Sequence, residues 1–283
     1  MMRTLGNLFR LACFAVSRPV LVRMVLCKTG MVAGYLHFLY RPYSEEDPAE
    51  AVDDAGGEPI VVRRGLFEGL VYPGAITYLS VFEGKIHGTY ESELAEPLER
   101  LFRERNYRQL VDVGSAEGYY AVGFARRFPE LEVFAFDISP VARRLLGQLA
   151  KANEVADRVK ICNYCTEKTF RVIPWSGRSL LICDCEGFER ELLTARAIKS
   201  LVNCDLVIEL HRQPDLCIQS LLTERLSASH TVAFVAAQTP IEKADAAREA
   251  LPGNLTEWEF FTILNEQRQR SFGWLIARSR DNA

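Results

Sequence analysis

The sequence predicts an α/β fold in which a mostly parallel, seven-stranded sheet is covered by helices on both faces. From residue 107 onward, short apolar runs alternate with helical stretches, and this alternation is typical of βαβ units. The runs are apolar throughout instead of at every second residue, which indicates strands buried on both faces of a parallel sheet. With 283 residues, 48% of them hydrophobic and 25% charged, the composition is that of an ordinary globular chain.

Seven apolar runs are predicted as strands, and two segments between the early ones are predicted as helices. The strands lie near residues 109–113, 132–136, 159–162, 179–183, 206–210, 231–236 and 272–277. The helices cover residues 119–127 and 140–153. The α/β domain is therefore expected at residues 106–283, and residues 61–105 are expected to pack on it.

Residues 1–60 are predicted to form a basic helical leader followed by an acidic, flexible linker. The first 43 residues contain six Lys and Arg residues and no Asp or Glu, whereas residues 44–58 contain seven Asp and Glu residues. The basic residues interrupt every apolar run well short of the roughly 18–20 residues that a membrane span needs. The leader is therefore expected to pack beside the main domain, or to contact an anionic membrane surface peripherally.

The net charge and the cysteine content limit which partners and which cellular compartment are expected. The formal net charge of −3 provides no chain-wide basic field, so a nucleic-acid partner is not expected. The eight cysteines are thinly spread, which favours a reducing, cytoplasmic location, with membrane contact limited to the inner face. Cys162 and Cys165 form the only zinc-like or redox-like pair, and without a second pair no metal role is expected for the cysteines.

A glycine loop after the first strand of the α/β domain indicates a nucleotide-type site. The strand ends in Asp112, and the chain turns through Gly114 and Gly118 into a helix. Glycines allow a ligand to approach the backbone closely, and a helix N-terminus offers N–H donors. The next strand ends in Asp137, where Rossmann-like folds use an acid to accept hydrogen bonds from ribose hydroxyls. Asp137 also fits a second role as the cap of the helix near residue 140.

The glycine spacing separates two classes of cofactor. A dinucleotide site requires Gly-x-Gly-x-x-Gly, so that the pyrophosphate sits on the helix N-terminus. Here the order is Asp112-x-Gly114-x-x-x-Gly118. This looser pattern suits S-adenosylmethionine, whose amino-acid end takes the place of the pyrophosphate, and a nicotinamide-dependent oxidoreductase is disfavoured.

At these residues the chain resembles the class I S-adenosylmethionine-dependent methyltransferases. The stretch Asp184-Cys-Glu-Gly-Phe-Glu189 narrows the resemblance, because it is similar to the Asp-x-Glu-Gly-x-Glu element of the FkbM family. A third stretch, Asp205 to His211, is similar to the fifth strand of that family. The resemblance covers roughly residues 88–277. It implies a Rossmann-like methyltransferase domain that binds S-adenosylmethionine.

The resemblance also implies cofactor contacts. Asp137 would hold the ribose, and Asn163 is the candidate for the adenine contact. Glu117 would be unfavourable beside the carboxylate of the cofactor unless it points to solvent. The residues expected at the methionine end of the cofactor are Asp112, Gly114, Ser115 and Gly118.

Residues 88–93 have two interpretations. They resemble a segment that folds over the cofactor in related enzymes, which would bring Tyr90 to it. They also fit the start of a helix, with Thr89 as the N-cap and acids in the first turn.

The expected reaction is methylation of an oxygen on a small-molecule or sugar-like acceptor. Groups that align the acceptor or remove its proton must lie at the carboxyl ends of strands, beside the cofactor. Asp184 is the first catalytic candidate. Glu186 would bind the acceptor or cap the next helix, and His211 could take a proton as a neutral imidazole.

A divalent cation is a further, less favoured possibility. Asp184, Glu209 and His211 end adjacent strands, and the last two project to the same side of their strand. They could ligate Mg²⁺ or Mn²⁺. The metal-free arrangement is preferred, with His211 hydrogen-bonded to Asp184, or Glu209 paired with Arg212.

A second class of function also remains open. The chain could be a non-catalytic binding or scaffold protein with a methyltransferase fold, attached to a membrane or partner by residues 1–43. The sequence does not predict an oligomeric state.

Overall fold

A computed structural model of the protein describes residues 58–75, 82–175, 178–212, 217–264 and 271–280. The predicted basic leader lies outside the described residues, as does all but the end of the acidic linker. The described chain falls within one compact unit of residues 54–283. None of the helices in the described ranges is long and apolar enough to cross a membrane.

The centre of the molecule is a seven-stranded sheet, and a small two-stranded antiparallel sheet precedes it in the chain. The small sheet pairs β1 with β2. The strands are β1 (Ile60–Val61), β2 (Val71–Tyr72), β3 (Gln109–Val113), β4 (Glu132–Phe136), β5 (Val159–Cys162), β6 (Ser179–Cys183), β7 (Cys204–His211), β8 (His230–Ala236) and β9 (Ser271–Ser279).

The strand order of the large sheet is β5-β4-β3-β6-β7-β9-β8. The first five strands are parallel to their neighbours, and β9 runs antiparallel to both β7 and β8. The prediction of a Rossmann-like, mostly parallel sheet with seven strands is confirmed. Four predicted strands coincide with β3 to β6 at both ends, and the other three extend by one or two residues at one or both ends.

Helices cover the sheet. The helix predicted at residues 119–127 is confirmed, and the helix predicted at residues 140–153 ends one residue earlier, at Ala152. The helices are α1 (Phe82–His87), α2 (Ala95–Arg105), α3 (Tyr119–Arg127), α4 (Pro140–Ala152), α5 (Glu189–Leu192), α6 (Ala195–Ile198), α7 (Ile218–Leu226), α8 (Pro240–Ala250) and α9 (Glu257–Leu264).

The order of the strands determines where a ligand can bind. After β3 the chain moves outward through β4 to β5 and then returns to pair β6 with the other side of β3. Such a reversal opens a crevice at the carboxyl ends of the central strands. β3, β6 and β7 are buried along their whole length, so the polar side chains at their carboxyl ends lie next to the hydrophobic core.

Candidate active site

The loop between β3 and α3 is held against the end of β6. Gly114 and Gly118 have φ angles of 85° and 99°, which glycine adopts without strain. A Cβ atom on Gly114 would lie 1.6 Å from the carbonyl oxygen of Asp184, so no side chain fits there. The predicted glycine positions are therefore required by the backbone, and they bring the loop next to Asp184.

Two buried polar atoms in this loop region make no hydrogen bond within the described residues. They are Oδ2 of Asp112, at the end of β3, and Oγ of Ser115. Burial, with the charge of Asp137 second, raises the pKa of Asp112 to about 7. Buried polar atoms are almost always hydrogen-bonded in proteins, so these two fit a polar ligand such as the amino-acid end of S-adenosylmethionine.

Asp137 joins the loop after β3 to the loop after β4. Its Oδ2 accepts a hydrogen bond from the backbone N–H of Ala116 at 2.9 Å, and its Oδ1 accepts one from Ser139 at 2.8 Å. Ser139, and not Asp137, caps α4, because its Oγ accepts from the N–H of Ala142. Each carboxylate oxygen of Asp137 retains a second acceptor position, so its hydrogen bonding allows the ribose contact, which stays a prediction.

Asn163 follows β5 and is exposed. Its Oδ1 accepts a hydrogen bond from the backbone N–H of Tyr164 at 2.7 Å, and the Tyr164 side chain is also exposed. The structure thus places Asn163 at the carboxyl edge of the sheet, two strands away from β3. The adenine contact stays a prediction.

Glu117 does not meet the condition of pointing to solvent. Its side chain is fully buried and forms an ion pair with Lys85 of α1, and it also accepts a hydrogen bond from the hydroxyl of Tyr72 at 3.4 Å. The Lys85 ammonium lies 4.8 Å from the ring centre of Tyr90 and 5.1 Å from that of Tyr119. Because Lys85 supplies the opposite charge, Glu117 can be buried in the glycine loop. The sequence reasoning missed Lys85.

The segment around Tyr90 does not begin a helix at Thr89. The N–H and the hydroxyl of Thr89 both donate to the carbonyl of Gly84, so Thr89 closes the end of α1. A short 3-10 helix begins only at Ser92. The Tyr90 ring packs edge-to-face on Tyr119, the first residue of α3, with ring centres 5.4 Å apart. The N-cap interpretation is therefore wrong, and the covering segment stays a prediction.

A cluster of acidic side chains surrounds His211 at the ends of β6 and β7. His211 Nε2 lies 3.6 Å from Asp184 Oδ1, 3.6 Å from Glu209 Oε2 and 3.7 Å from Glu186 Oε2. The structure thus brings together all the predicted catalytic and metal candidates. The predicted hydrogen bond between His211 and Asp184 is not formed, because 3.6 Å is too long. His211 Nδ1 instead pairs with Glu189 at 2.8 Å.

Glu186 has no capping role. α5 begins at Glu189 with Phe188 as its N-cap residue, and no side chain caps it. The Glu186 side chain is 60% exposed, and its φ angle is 54°. Of the two roles expected from the sequence, only acceptor binding is compatible with this position.

The electrostatics of the cluster raise the pKa of both His211 and Asp184. Burial lowers the pKa of His211, but the hydrogen bond to Glu189 and the charge of Glu209 outweigh it and raise the pKa to about 9. The ion-free cluster therefore favours a protonated His211 at pH 7, not the neutral imidazole expected from the sequence. Burial, and then the charge of Glu209, also raises the pKa of Asp184.

Two further acids belong to this site. Glu189 is fully buried and orients His211; it closes the Asp-x-Glu-Gly-x-Glu element, so the sequence held a signal for it. Glu91 is buried, accepts a hydrogen bond from the Tyr120 hydroxyl, and has an oxygen within 4.8 Å of carboxylate oxygens of Asp184 and Glu209. Nothing local in the sequence marks Glu91, because α3 and the segment before α2 meet only in the fold.

No protein family and no curated protein matches the chain. Among solved structures, the chain is similar to the O-methyltransferase TomG from Streptomyces achromogenes in complex with SAM, at 13% identity over 65% of this chain and 78% of that chain, with a TM-score of 0.45. It is similar to precorrin-6y C5,15-methyltransferase from Geobacter metallireducens, at 13% identity over 65% and 89% of the two chains, with a TM-score of 0.43.

YjhP from E. coli is a third similar structure, at 18% identity over 69% of this chain and 95% of that chain, with a TM-score of 0.43. At these identities and scores, no activity and no residue role passes from those proteins to this chain. The fold described above rests on the order and direction of its own strands.

Proposed function

We propose that the chain is an S-adenosylmethionine-dependent methyltransferase of FkbM type, which methylates an oxygen of a small-molecule or sugar-like acceptor. The observation that carries the proposal is the contact between Gly114 and Asp184. On one side of this contact lies the glycine loop with its two buried polar atoms that make no hydrogen bond, and on the other lies the acidic cluster around His211. A cofactor half-site and an acceptor half-site therefore adjoin at one edge of the sheet.

On the cofactor side, the residues of the chain hold and orient the cofactor. Bound S-adenosylmethionine would supply a methyl group on a positively charged sulfonium. Asp112 Oδ2 and Ser115 Oγ are available to the ammonium and carboxylate of its methionine end, and Asp137 is available to its ribose hydroxyls. Holding two reactants in line for displacement lowers a barrier by about 7–11 kcal/mol at best.

On the acceptor side, Asp184 is the proton acceptor. Its side chain is 28% exposed, so an acceptor hydroxyl can reach it. When the acceptor hydroxyl takes the methyl group that the cofactor would supply, the Asp184 carboxylate would receive the hydroxyl proton. The pKa of Asp184 is raised by burial and by Glu209, and a base whose pKa is closer to the working pH accepts a proton more effectively.

Calorimetry with S-adenosylhomocysteine tests the cofactor half-site. The full chain is expected to bind the ligand, and Asp137→Ala is expected to weaken binding at least tenfold, about 1.4 kcal/mol. Asp157→Ala is the matched control, because the Asp157 side chain is 72% exposed and lies away from the glycine loop. No detectable binding by the wild type at millimolar ligand, or equal affinities in both variants, would refute the cofactor assignment.

Transfer of labelled methyl groups to a library of hydroxylated small molecules tests the reaction itself. Asp184→Asn is expected to abolish turnover on any acceptor found, while it leaves the affinity for S-adenosylhomocysteine within about threefold of the wild type. Turnover at the wild-type rate in this variant would remove Asp184 from the mechanism.

A further inference from the structure

Glu189 holds His211 in one orientation. Its side chain is 5% exposed, and its Nδ1 lies 2.8 Å from Oε1 of the fully buried Glu189. A carboxylate at this position accepts the Nδ1 hydrogen, so that in the neutral imidazole, the form that binds a metal, the lone pair is on Nε2. Metal-binding histidines in proteins are almost always oriented by such a carboxylate, backbone carbonyl or water behind the ring. Glu189 therefore presents Nε2 as a ligand atom directed into the cluster.

The three oxygens in front of Nε2 are spaced for an ion and not for hydrogen bonds. Asp184, Glu186 and Glu209 each place one oxygen 3.6–3.7 Å from Nε2, beyond the range of a hydrogen bond. Two ligand atoms at this separation, each about 2.1–2.2 Å from a common ion, subtend an angle of about 110–120° at it. Asp184, Glu186 and His211 each offer one ligand atom within 4.8 Å of the other two, so these three side chains can hold one ion.

A second atom is available to an ion at this point. Oδ1 of Asp184 is a buried carboxylate oxygen and makes no hydrogen bond within the described part of the chain. It lies 3.6 Å from Nε2 of His211. A buried carboxylate oxygen without a partner is costly, and a cation between it and Nε2 would satisfy both atoms at once.

We propose that Asp184, Glu186 and His211 form a site for one divalent cation. Two carboxylate oxygens favour a hard ion, and the imidazole favours a softer one, so Mn²⁺ suits this mixed set better than Mg²⁺. Of the three ligands that the sequence offered, Asp184 and His211 belong to this site, and Glu186 takes the place of Glu209.

The proposal deepens the proposed function and rests on it for the role of the ion, because the site lies across the Gly114 contact from the glycine loop. An ion at this point would orient an acceptor oxygen and lower the pKa of its hydroxyl group. Binding of the ion itself requires neither cofactor nor acceptor, so it can be measured separately.

The experiment is a titration of the full chain with Mn²⁺ alone, in which the free ion is measured by electron paramagnetic resonance. The wild type is expected to bind one equivalent. Asp184→Asn and Glu186→Gln are expected to weaken binding at least tenfold, and Glu189→Gln about 10–100-fold, as is typical when the group behind a ligating histidine is lost. Glu191→Gln is the matched control, because Glu191 pairs with Arg190 outside the cluster.

Two results overturn the proposal. One is the absence of binding by the wild type at millimolar Mn²⁺, and the other is binding that Asp184→Asn and Glu186→Gln leave at the wild-type affinity. Glu186 is the decisive position if Asp184→Asn fails to fold, because its side chain is largely exposed. If the wild type binds S-adenosylhomocysteine but not Mn²⁺, only the ion site is refuted. If it binds Mn²⁺ but not S-adenosylhomocysteine, only the proposed methyltransferase function is refuted.

Discussion

The buried ion pair between Lys85 and Glu117 gives the sharpest prediction on stability. The two side chains are 2% and 0% exposed, and the pair joins α1 to the glycine loop. Lys85→Met keeps the volume of the side chain and removes its charge, which leaves Glu117 buried without its cation. Removing one partner of a buried pair costs about 3–5 kcal/mol. At about 2–4 °C per kcal/mol for a chain of this size, the melting temperature is expected to fall by about 6–20 °C.

The double variant Lys85→Met/Glu117→Gln separates the lost charge pair from lost packing. It removes both charges and keeps an acceptor for the Tyr72 hydroxyl, so it is expected to be more stable than Lys85→Met alone by about 1–3 kcal/mol. Urea unfolding followed by circular dichroism measures both variants. Arg100→Met, at an exposed pair with Glu96, is the control and is expected to match the wild type. The reasoning is refuted if Lys85→Met is as stable as this control.

Three further predictions concern single residues. Burial above all raises the pKa of Asp112 to about 7, so the folded state keeps a proton that the unfolded chain loses near pH 4. Between pH 4 and 7 the free energy of unfolding of the wild type should therefore fall by up to about 4 kcal/mol relative to that of Asp112→Asn. Urea unfolding across this pH range measures the difference, and parallel profiles for the two proteins would contradict it. Gly114→Ala should unfold or aggregate on expression, whereas Gly253→Ala, with open space around its Cβ, should melt like the wild type; equal melting temperatures would show that the loop can move. Tyr107→Phe removes a hydroxyl that donates to buried Asp205 at 2.5 Å. Calorimetric melting should show a free energy of unfolding lower by about 1–3 kcal/mol, and an unchanged value would show that water replaces the hydroxyl.

The sheet could be predicted from the sequence because its strands are defined by what they bury. β3 to β6 are short runs, bounded by polar or turn residues, and their predicted ends coincide with the observed ones. β9 is longer than predicted because its end depends on a distant residue. The N–H of Ser279 donates to Oδ1 of Asp205 at 2.7 Å, 74 residues earlier in the chain. A local apolar pattern contains no information about such a contact.

The candidate site was predictable where the motifs are local and unpredictable where charges pair across the fold. Gly114 and Asp184 were identified from their own stretches of sequence, and the fold brings them into contact. The partners that adjust the charges, Lys85 for Glu117 and Glu189 for His211, lie 32 and 22 residues away from the groups they affect. Since a sequence pattern gives residue types and not distances, the burial of Glu117 and the proton on His211 could not be derived from it.

The position of β9 between β7 and β8 has a consequence for the newly made chain. β9 follows both neighbours in the sequence but pairs with each of them in the sheet. While the ribosome is still adding the residues of β9, β8 has no partner in the large sheet, and the apolar edge of β7 is uncovered. Open strand edges of this kind pair readily with other chains. The strand that carries His211 thus keeps one open edge during synthesis, until β9 arrives to cover it.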